Sequence, residues 1–248
     1  MAILTKVSRI IDKLAHSIED PRLFRLYSRG GVLSTFITLN QPWFRDLEIA
    51  TVFDIGANTG QFAITMSFLL PKAKIYSFEP LPDCFEALQT RMKGIENFTA
   101  FNLGLGNESG ILEFERNSFS PSSSFLKVTD IHKTAFPFTG DSNPVSVKVE
   151  RLDTVVEQLT VTEPLMIKID VQGYEDRVLS GGEQTIKRAK ILFIETSFEM
   201  LYEDQPLFGK IYQQLTNWGF NYIGALDQLH NPRGGQILQA DSIFIKRS

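Results

Sequence analysis

Val52-Phe53-Asp54-Ile55-Gly56-Ala57-Asn58-Thr59-Gly60-Gln61-Phe62-Ala63 is the stretch on which the fold is read. Thr51 to Phe53, with Ile55, is a short apolar run ending in a turn that holds Gly56 and Gly60. Phe62, Ala63, Met66 and Leu69-Leu70 then recur at helical spacing. Strand, glycine turn and helix in that order predict the ligand-cradling corner of an open parallel α/β sheet. Glycine suits the turn because it admits positive φ and lets a ligand approach the backbone.

The acid inside this corner discriminates between ligands. The glycine spacing is G-x-x-x-G, and Asp54 lies two residues before the first glycine. A dinucleotide site sets a pyrophosphate against G-x-G-x-x-G at a helix N-terminus, where a carboxylate would repel it. An ammonium or sulfonium would be attracted instead. S-adenosylmethionine carries both cations and no phosphate, so the loop is expected to hold it through Asp54, Gly56, Asn58 and Gly60. The glycines alone are equally compatible with an ordinary strand-to-helix turn.

Lys74 to Phe78 reads as the next strand and delivers Glu79 to its tip, before Pro80. An acid about 20 residues past the glycine turn can accept from both ribose hydroxyls. Its other reading is a cap for a helix starting near Pro82. Phe98 to Phe101 is a third strand, and Asn102 and Leu103, leaving it, are expected beside the adenine. There the Asn102 amide can bond the base edge, or serve only as a turn residue.

A second centre is Leu165-Met166-Ile167-Lys168-Ile169-Asp170-Val171-Gln172-Gly173-Tyr174-Glu175. Its apolar run predicts a buried central strand, with Asp170 near the carboxyl end, where open α/β sheets bind ligands. Lys168 and Asp170 are two apart and share a face. A lysine in such a run needs a carboxylate partner, for which Glu195, in the next strand Ile191 to Thr196, is the expected candidate. Lys168, Asp170 and Glu195 together can position and deprotonate a hydroxyl, or form a purely structural ion-pair network. Glu175 is expected to cap the following helix or hold substrate.

The chain has 248 residues, 43% hydrophobic and 22% charged, enough for one sizeable α/β domain. A net charge of −4 implies no broad basic face for nucleic acid. Cys84 is the single cysteine, so neither an internal disulfide nor a cysteine-based metal cluster is expected. No run approaches the ~20 apolar residues of a membrane span, and the N-terminus lacks a secretory pattern; a cytoplasmic protein is the expectation. Ile3, Leu4, Val7, Ile10, Ile11, Leu14 and Ile18 form one apolar stripe on a helix, which can pack on the domain, mediate a homo-oligomer or lie on a membrane surface; its polar face, mixing Lys6, Arg9 and Lys13 with Asp12 and Glu19, favours packing over lipid. Further short helices over Arg22 to Leu47, broken at Gly30-Gly31 and Gln41-Pro42, complete an N-terminal extension over 1–48, and the main domain covers 49–248.

Gly104 to Gly110 reads as turn, Ile111 to Glu115 as strand, and 117–144, rich in Ser, Pro and Gly, as a substrate-side lid. Val145 to Val149 alternates as a strand, and Leu152-Asp153 opens a short helix. Phe208 to Leu215 reads as a helix, Phe220 to Ala225 as a strand, Leu226 to Gly235 as a loop, and Asp241 to Lys246 as the final strand. The last two strands are expected to pair antiparallel at one sheet edge. His16 belongs to the N-terminal helix. His132 and His230 fall in expected loops, as surface residues or as general bases.

VFDIGANTGQFA, YSFEPLPDCFEAL, AFNLGLGNESG, RLDTVV and LMIKIDVQGYEDRVLSGG together resemble the FkbM family of S-adenosylmethionine-dependent methyltransferases, in order and spacing, from about Val52 to Glu195. The resemblance implies the class I methyltransferase fold: a Rossmann-like seven-stranded sheet with helices on both faces and an antiparallel last strand. It also implies methyl transfer to a hydroxyl of a small molecule, typically a glycan or secondary metabolite. The family's usual D-V-E-G-x-E stands here as Asp170-Val171-Gln172-Gly173-Tyr174-Glu175, one carboxylate fewer, and no metal is expected. Two other classes share this sheet. A nicotinamide-dependent oxidoreductase is opposed by Asp54 and the missing glycine, whereas a non-catalytic cofactor-binding protein requires the ionisable trio to be structural.

Overall fold

The computed structural model describes residues 20–139 and 141–246. The expected helix over Ile3 to Ile18, with His16, lies outside them. Three short helices lead in: α1 (Pro21–Ser28), α2 (Leu33–Leu39) and α3 (Pro42–Arg45). Proline opens α1 behind Asp20, whose carboxylate accepts the Arg22 amide at 3.0 Å, an N-cap followed by a residue with no amide proton to lose. The breaks fall at Gly30-Gly31 and Gln41-Pro42, as read from the sequence.

The strands are β1 (Thr51–Ile55), β2 (Lys74–Phe78), β3 (Phe98–Phe101), β4 (Gly104–Leu105), β5 (Gly110–Asn117), β6 (Ser142–Glu150), β7 (Leu165–Ile169), β8 (Ile191–Ser197), β9 (Asn221–His230) and β10 (Ile237–Ile245). Between them lie α4 (Gln61–Leu69), α5 (Pro82–Arg91), α6 (Asp130–Ala135), α7 (Leu152–Val156), α8 (Glu175–Gly181), α9 (Glu183–Ile186) and α10 (Phe208–Asn217). Seven strands form one sheet in the order β3-β2-β1-β7-β8-β10-β9. Only β10 opposes its neighbours, pairing antiparallel with β8 and β9. The expected α/β class and antiparallel last strand are therefore present. The strand order reverses between β1 and β7, and this is where an open sheet leaves a crevice at its carboxyl edge.

Both faces of the sheet are covered. Phe53, Ile55, Ile167, Ile169, Leu192 and Ile194 pack beneath Val178, Leu179, Ile186, Ile211 and Leu215 of the later helices. The intervening residues Val52, Met166, Ile191 and Phe193 face Ala63, Ile64 and Met66 of α4, together with Leu39 and Phe44. Alternation along the strands explains the division. It also sends Asp54, Lys168, Glu195 and Asp241 to the second face, because each is two residues from a core member there.

Four expectations change. Strands β5 and β6 leave the main sheet and form a second one in the order β4-β6-β5, so Gly104-Leu105 is a short strand rather than turn. The segment 117–144 is not irregular throughout: it contains α6, capped by Thr129, and 3₁₀ turns at Ser120–Ser122 and Pro137–Thr139, and β6 begins at Ser142. The expected loop from Leu226 is largely strand, since β9 runs to His230 and β10 starts at Ile237. An edge strand with both faces largely open to solvent carries no apolar alternation to announce it. Finally, His132 lies in α6, buried against Phe136 and Tyr202, not in an exposed loop.

Phe44 is fully buried and meets Phe193 edge-on at 6.4 Å, so the lead-in helices are seated in the same core as the sheet. Phe44→Ala is expected to cost about 3–5 kcal/mol of unfolding free energy in urea titration, and a loss under about 1 kcal/mol would show that these helices are not part of the core.

Candidate active site

The glycine turn closes the carboxyl end of β1. Gly56 and Gly60 adopt φ of +76° and +87°, and Asn58 reaches +47°. The amides of Gly56 and Ala57 both donate to the Phe78 carbonyl at 3.0 Å, which ties the turn to the tip of β2. A Cβ on Gly56 would stand 1.8 Å from the carbonyl oxygen of Asp170. Glycine is thus required there by the neighbouring strand end, whereas the sequence suggested the approach of a ligand. Gly60 starts α4 and packs on Leu88, and it does not line the cavity described below.

Glu79 directly follows β2 and is buried, 5% exposed. One oxygen accepts the Asn58 amide at 2.8 Å and the other the Leu81 amide at 2.9 Å. Each oxygen retains a lone pair for a ligand hydroxyl. Burial, only partly offset by these bonds, pushes its pKa up to about 7. Asn102 braces this tip from β3, donating to the carbonyls of Glu79 and Pro80 at 2.9 Å. Leu103 packs against the core, and neither residue lines the cavity. The structure thus places Asn102 behind Glu79 and Leu103 against the core, where the sequence reading expected them beside a ligand base.

Asp54 is likewise not in the cavity wall. It is fully buried mid-sheet, opposite Ser77 on β2 and Lys168 on β7, and the Ser77 hydroxyl donates to it at 3.3 Å. The Lys168 ammonium lies 3.4 Å from Asp54 and 3.3 Å from Asp170, and donates to the Gly56 carbonyl at 3.1 Å. Glu195 is not its partner. The register sets Lys168 beside Asp54 on one side and Phe193 on the other, leaving Glu195 further along β8. Burial alone lowers the Lys168 pKa, but the charges of Asp170, Asp54 and Asp241 outweigh it and hold the ammonium protonated.

Beyond Lys168 the strand ends gather carboxylates. Gln172, in the left-handed region at φ +54°, donates through Nε2 to Asp170 at 2.8 Å and to Glu195 at 3.0 Å. The Tyr202 hydroxyl donates to its Oε1 at 2.8 Å, which fixes the amide's orientation. Asp241 stands opposite Glu195 on β10. Burial first, then the charges of Asp170, Glu175 and Asp241, raise the Glu195 pKa well above the usual range. Burial and the Asp170 charge bring Asp241 to about 7. Glu175 accepts the amides of Val171 and Gly173 at 3.1 and 3.2 Å, so it clamps the turn after β7 at the head of α8. Tyr202 and Asp241 escaped sequence reading because only strand register and a long-range hydrogen bond bring them here.

These elements enclose a cavity of about 350 Å³ at the carboxyl ends of β1, β2, β7 and β8. Gly56, Asn58 and Phe62 form one wall, Glu79 and Leu81 a second, and Ser120, Ser123 and Phe125 of the expected lid a third. Glu79, Asp170, Glu195, Asp227 and Asp241 line it against Lys168, the one basic group among its described lining residues. That ammonium is already engaged by two carboxylates and a carbonyl. Such a cavity repels a pyrophosphate and fits a cationic ligand.

Residues 54–222 match the Methyltransferase FkbM domain. The chain belongs to the FkbM methyltransferase family. It is a methyltransferase with S-adenosylmethionine as its methyl donor. Among curated relatives, it is 26% identical over 160 residues to the 2-O-methyltransferase NoeI of Sinorhizobium fredii, covering 62% of this chain and 66% of that one. It is 26% identical over 214 residues to the hexuronic acid methyltransferase AglP of Haloferax volcanii, covering 79% and 83%. It is 24% identical over 206 residues to the 31-O-demethyl-FK506 methyltransferase FkbM of Streptomyces tacrolimicus, covering 72% and 75%. Among the described residues, no helix is long and apolar enough to cross a membrane.

Lys168→Met strands two carboxylates and is expected to cost about 3–5 kcal/mol in urea unfolding. Adding Asp54→Leu removes the fully buried one and should recover part of that loss; a double variant less stable than the single would contradict the pairing.

Proposed function

We propose that this FkbM-family methyltransferase binds S-adenosylmethionine in the cavity at the β1 and β2 tips and methylates a hydroxyl oxygen of a sugar, glycan or secondary metabolite. The carrying observation is the cavity's excess of carboxylates beside a glycine turn whose backbone is tied to Glu79. Gly56 and Asn58 would hold the donor with Glu79, whose remaining lone pairs suit a vicinal diol. Asp54 acts at one remove, by holding Lys168. Gly60 sets the entry to α4, Asn102 supports the Glu79 tip, and Leu103 packs against the core.

When bound, S-adenosylmethionine supplies an electrophilic methyl group whose bond to sulfur carries its electron pair away to a neutral thioether. The chain's own residues must align the acceptor, exclude water and take the hydroxyl proton. Asp170 is the group placed to receive that proton, since it ends β7 in the cavity wall with one oxygen near Lys168 and the other on the Gln172 amide. Lys168 positions it. Glu195, whose pKa is raised by burial and its acidic neighbours, accepts from the Gln172 amide beside Asp170 and lines the cavity where it can bond the acceptor. The Ser120–Ser123 segment roofs the site and limits water access. Its substrate-side position supports the lid reading of 117–144.

Asp170→Asn is expected to lower methyl transfer about 10²-fold or more while calorimetric affinity for S-adenosylhomocysteine stays within about twofold. Normal turnover in that variant would remove Asp170 from the reaction. A second test uses charge. Glu79 and Asp241 lose their protons as pH rises through about 7, so the cavity gains negative charge across that range. The sulfonium donor should therefore gain affinity relative to its neutral thioether product between about pH 6 and about pH 8. An unchanged ratio of the two dissociation constants would show that these carboxylates do not face the sulfur.

A further inference from the structure

A second cavity, also of about 350 Å³, adjoins the first. The two share Pro121, Asp170, Gln172, Glu195, Asp227 and Asp241, so the carboxylate cluster is their common wall. On its far side the second cavity is bounded by Phe119 and Ser122, and by Gln228, Leu229, Gln239 and Ala240 of the β9–β10 hairpin. We infer that this cavity is the acceptor subsite and that it selects polyols without negative charge, refusing those that carry a carboxylate or phosphate. The inference rests on the donor assignment above and specifies the acceptor class for that site.

Position is the first argument. An acceptor oxygen must reach a methyl group held in the first cavity, and the second cavity opens across the same wall that carries Asp170. Charge is the next. Asp170, Glu195, Asp227 and Asp241 line the second cavity, with no Lys, Arg or His among its described lining residues. Lys168 lies on the donor side and is already occupied by Asp54, Asp170 and the Gly56 carbonyl. An anionic acceptor would bring a further negative charge into a cluster that already resists ionisation: burial and mutual repulsion push the Glu195 and Asp241 pKa values up. No guanidinium or ammonium is in place among those lining residues to compensate it.

The remaining lining suits uncharged hydroxyls. Carboxylate oxygens accept from them, and the Gln228 amide, on a strand open to solvent, supplies both a donor and an acceptor. Phe119 stands at the rim with its ring about half exposed, held edge-on against Phe138 at 5.4 Å, and gives the C–H face of a sugar ring an apolar surface. Gln172 matters for the same reason. Its amide, oriented by Tyr202, donates to both Asp170 and Glu195 and so bridges the two acids.

The test uses the full chain with matched acceptors: methyl glucoside, galactoside and mannoside, their 2-amino analogues, and the corresponding methyl uronides. Calorimetry with S-adenosylhomocysteine is run first, because binding there keeps the donor assignment standing whatever the acceptor result. With labelled S-adenosylmethionine, at least one neutral or amino glycoside is expected to be methylated at least about tenfold faster than its uronide partner. Asp227→Lys, which places a cation in the shared wall, is expected to narrow or reverse that ratio. Uronides methylated as well as their neutral partners, or a protein that binds S-adenosylhomocysteine yet methylates no uncharged glycoside, would overturn the inference. Failure to bind S-adenosylhomocysteine at all would instead overturn the donor assignment.

Discussion

A single buried ammonium organises the carboxyl edge of this sheet. Lys168 sits between Asp54 on β1 and Asp170 at the end of β7, and donates to the carbonyl of the first glycine in the turn. Taking these charges out of water is costly, and the arrangement persists because every member has a counterpart. Its net contribution to stability is modest for that reason. What it secures is geometry: the glycine turn, the Asp170 carboxylate and the strand tips are held in one mutual position. Gly56 reinforces it, since the Asp170 carbonyl occupies the place of a side chain there.

This constraint changes how the acid beside the glycine turn acts. Asp54 lies outside the cavity wall, fully buried, and its carboxylate faces the Lys168 ammonium at 3.4 Å. The acidic character of the cavity comes from the five carboxyl groups in its wall, Glu79, Asp170, Glu195, Asp227 and Asp241. Several of these are raised toward neutral pH by burial, so the site's charge varies over the physiological range. The same wall is shared by the two adjoining cavities, so one cluster of acids lines both.

The segment from Phe119 to Phe125 and the edge hairpin line the two cavities together with the strand ends. Ser124 donates to the Gln172 carbonyl at 2.6 Å, and the Tyr202 hydroxyl lies 3.3 Å from the Ser122 carbonyl as well as on the Gln172 amide. The roof is thus bonded to the turn that carries the acids. His132, buried beneath Tyr202 and lowered in pKa by that burial, supports this packing and faces neither cavity.

The amino-acid sequence by itself determined the parallel strands, the glycine turn, the position of Glu79 at the second strand tip and the grouping of Lys168 with Asp170. Each depends on local periodicity or on residues two apart along one strand. Tertiary structure alone decided which carboxylate pairs with Lys168, because strand order and register set Asp54 beside it and carry Glu195 past it. It also set Asn102 behind Glu79, separated β5 and β6 into their own sheet, brought Asp227 and Asp241 to the cavity, and placed Tyr202 on the Gln172 amide. Those placements depend on contacts between segments far apart in the chain, and no local pattern of side chains encodes the distance between them.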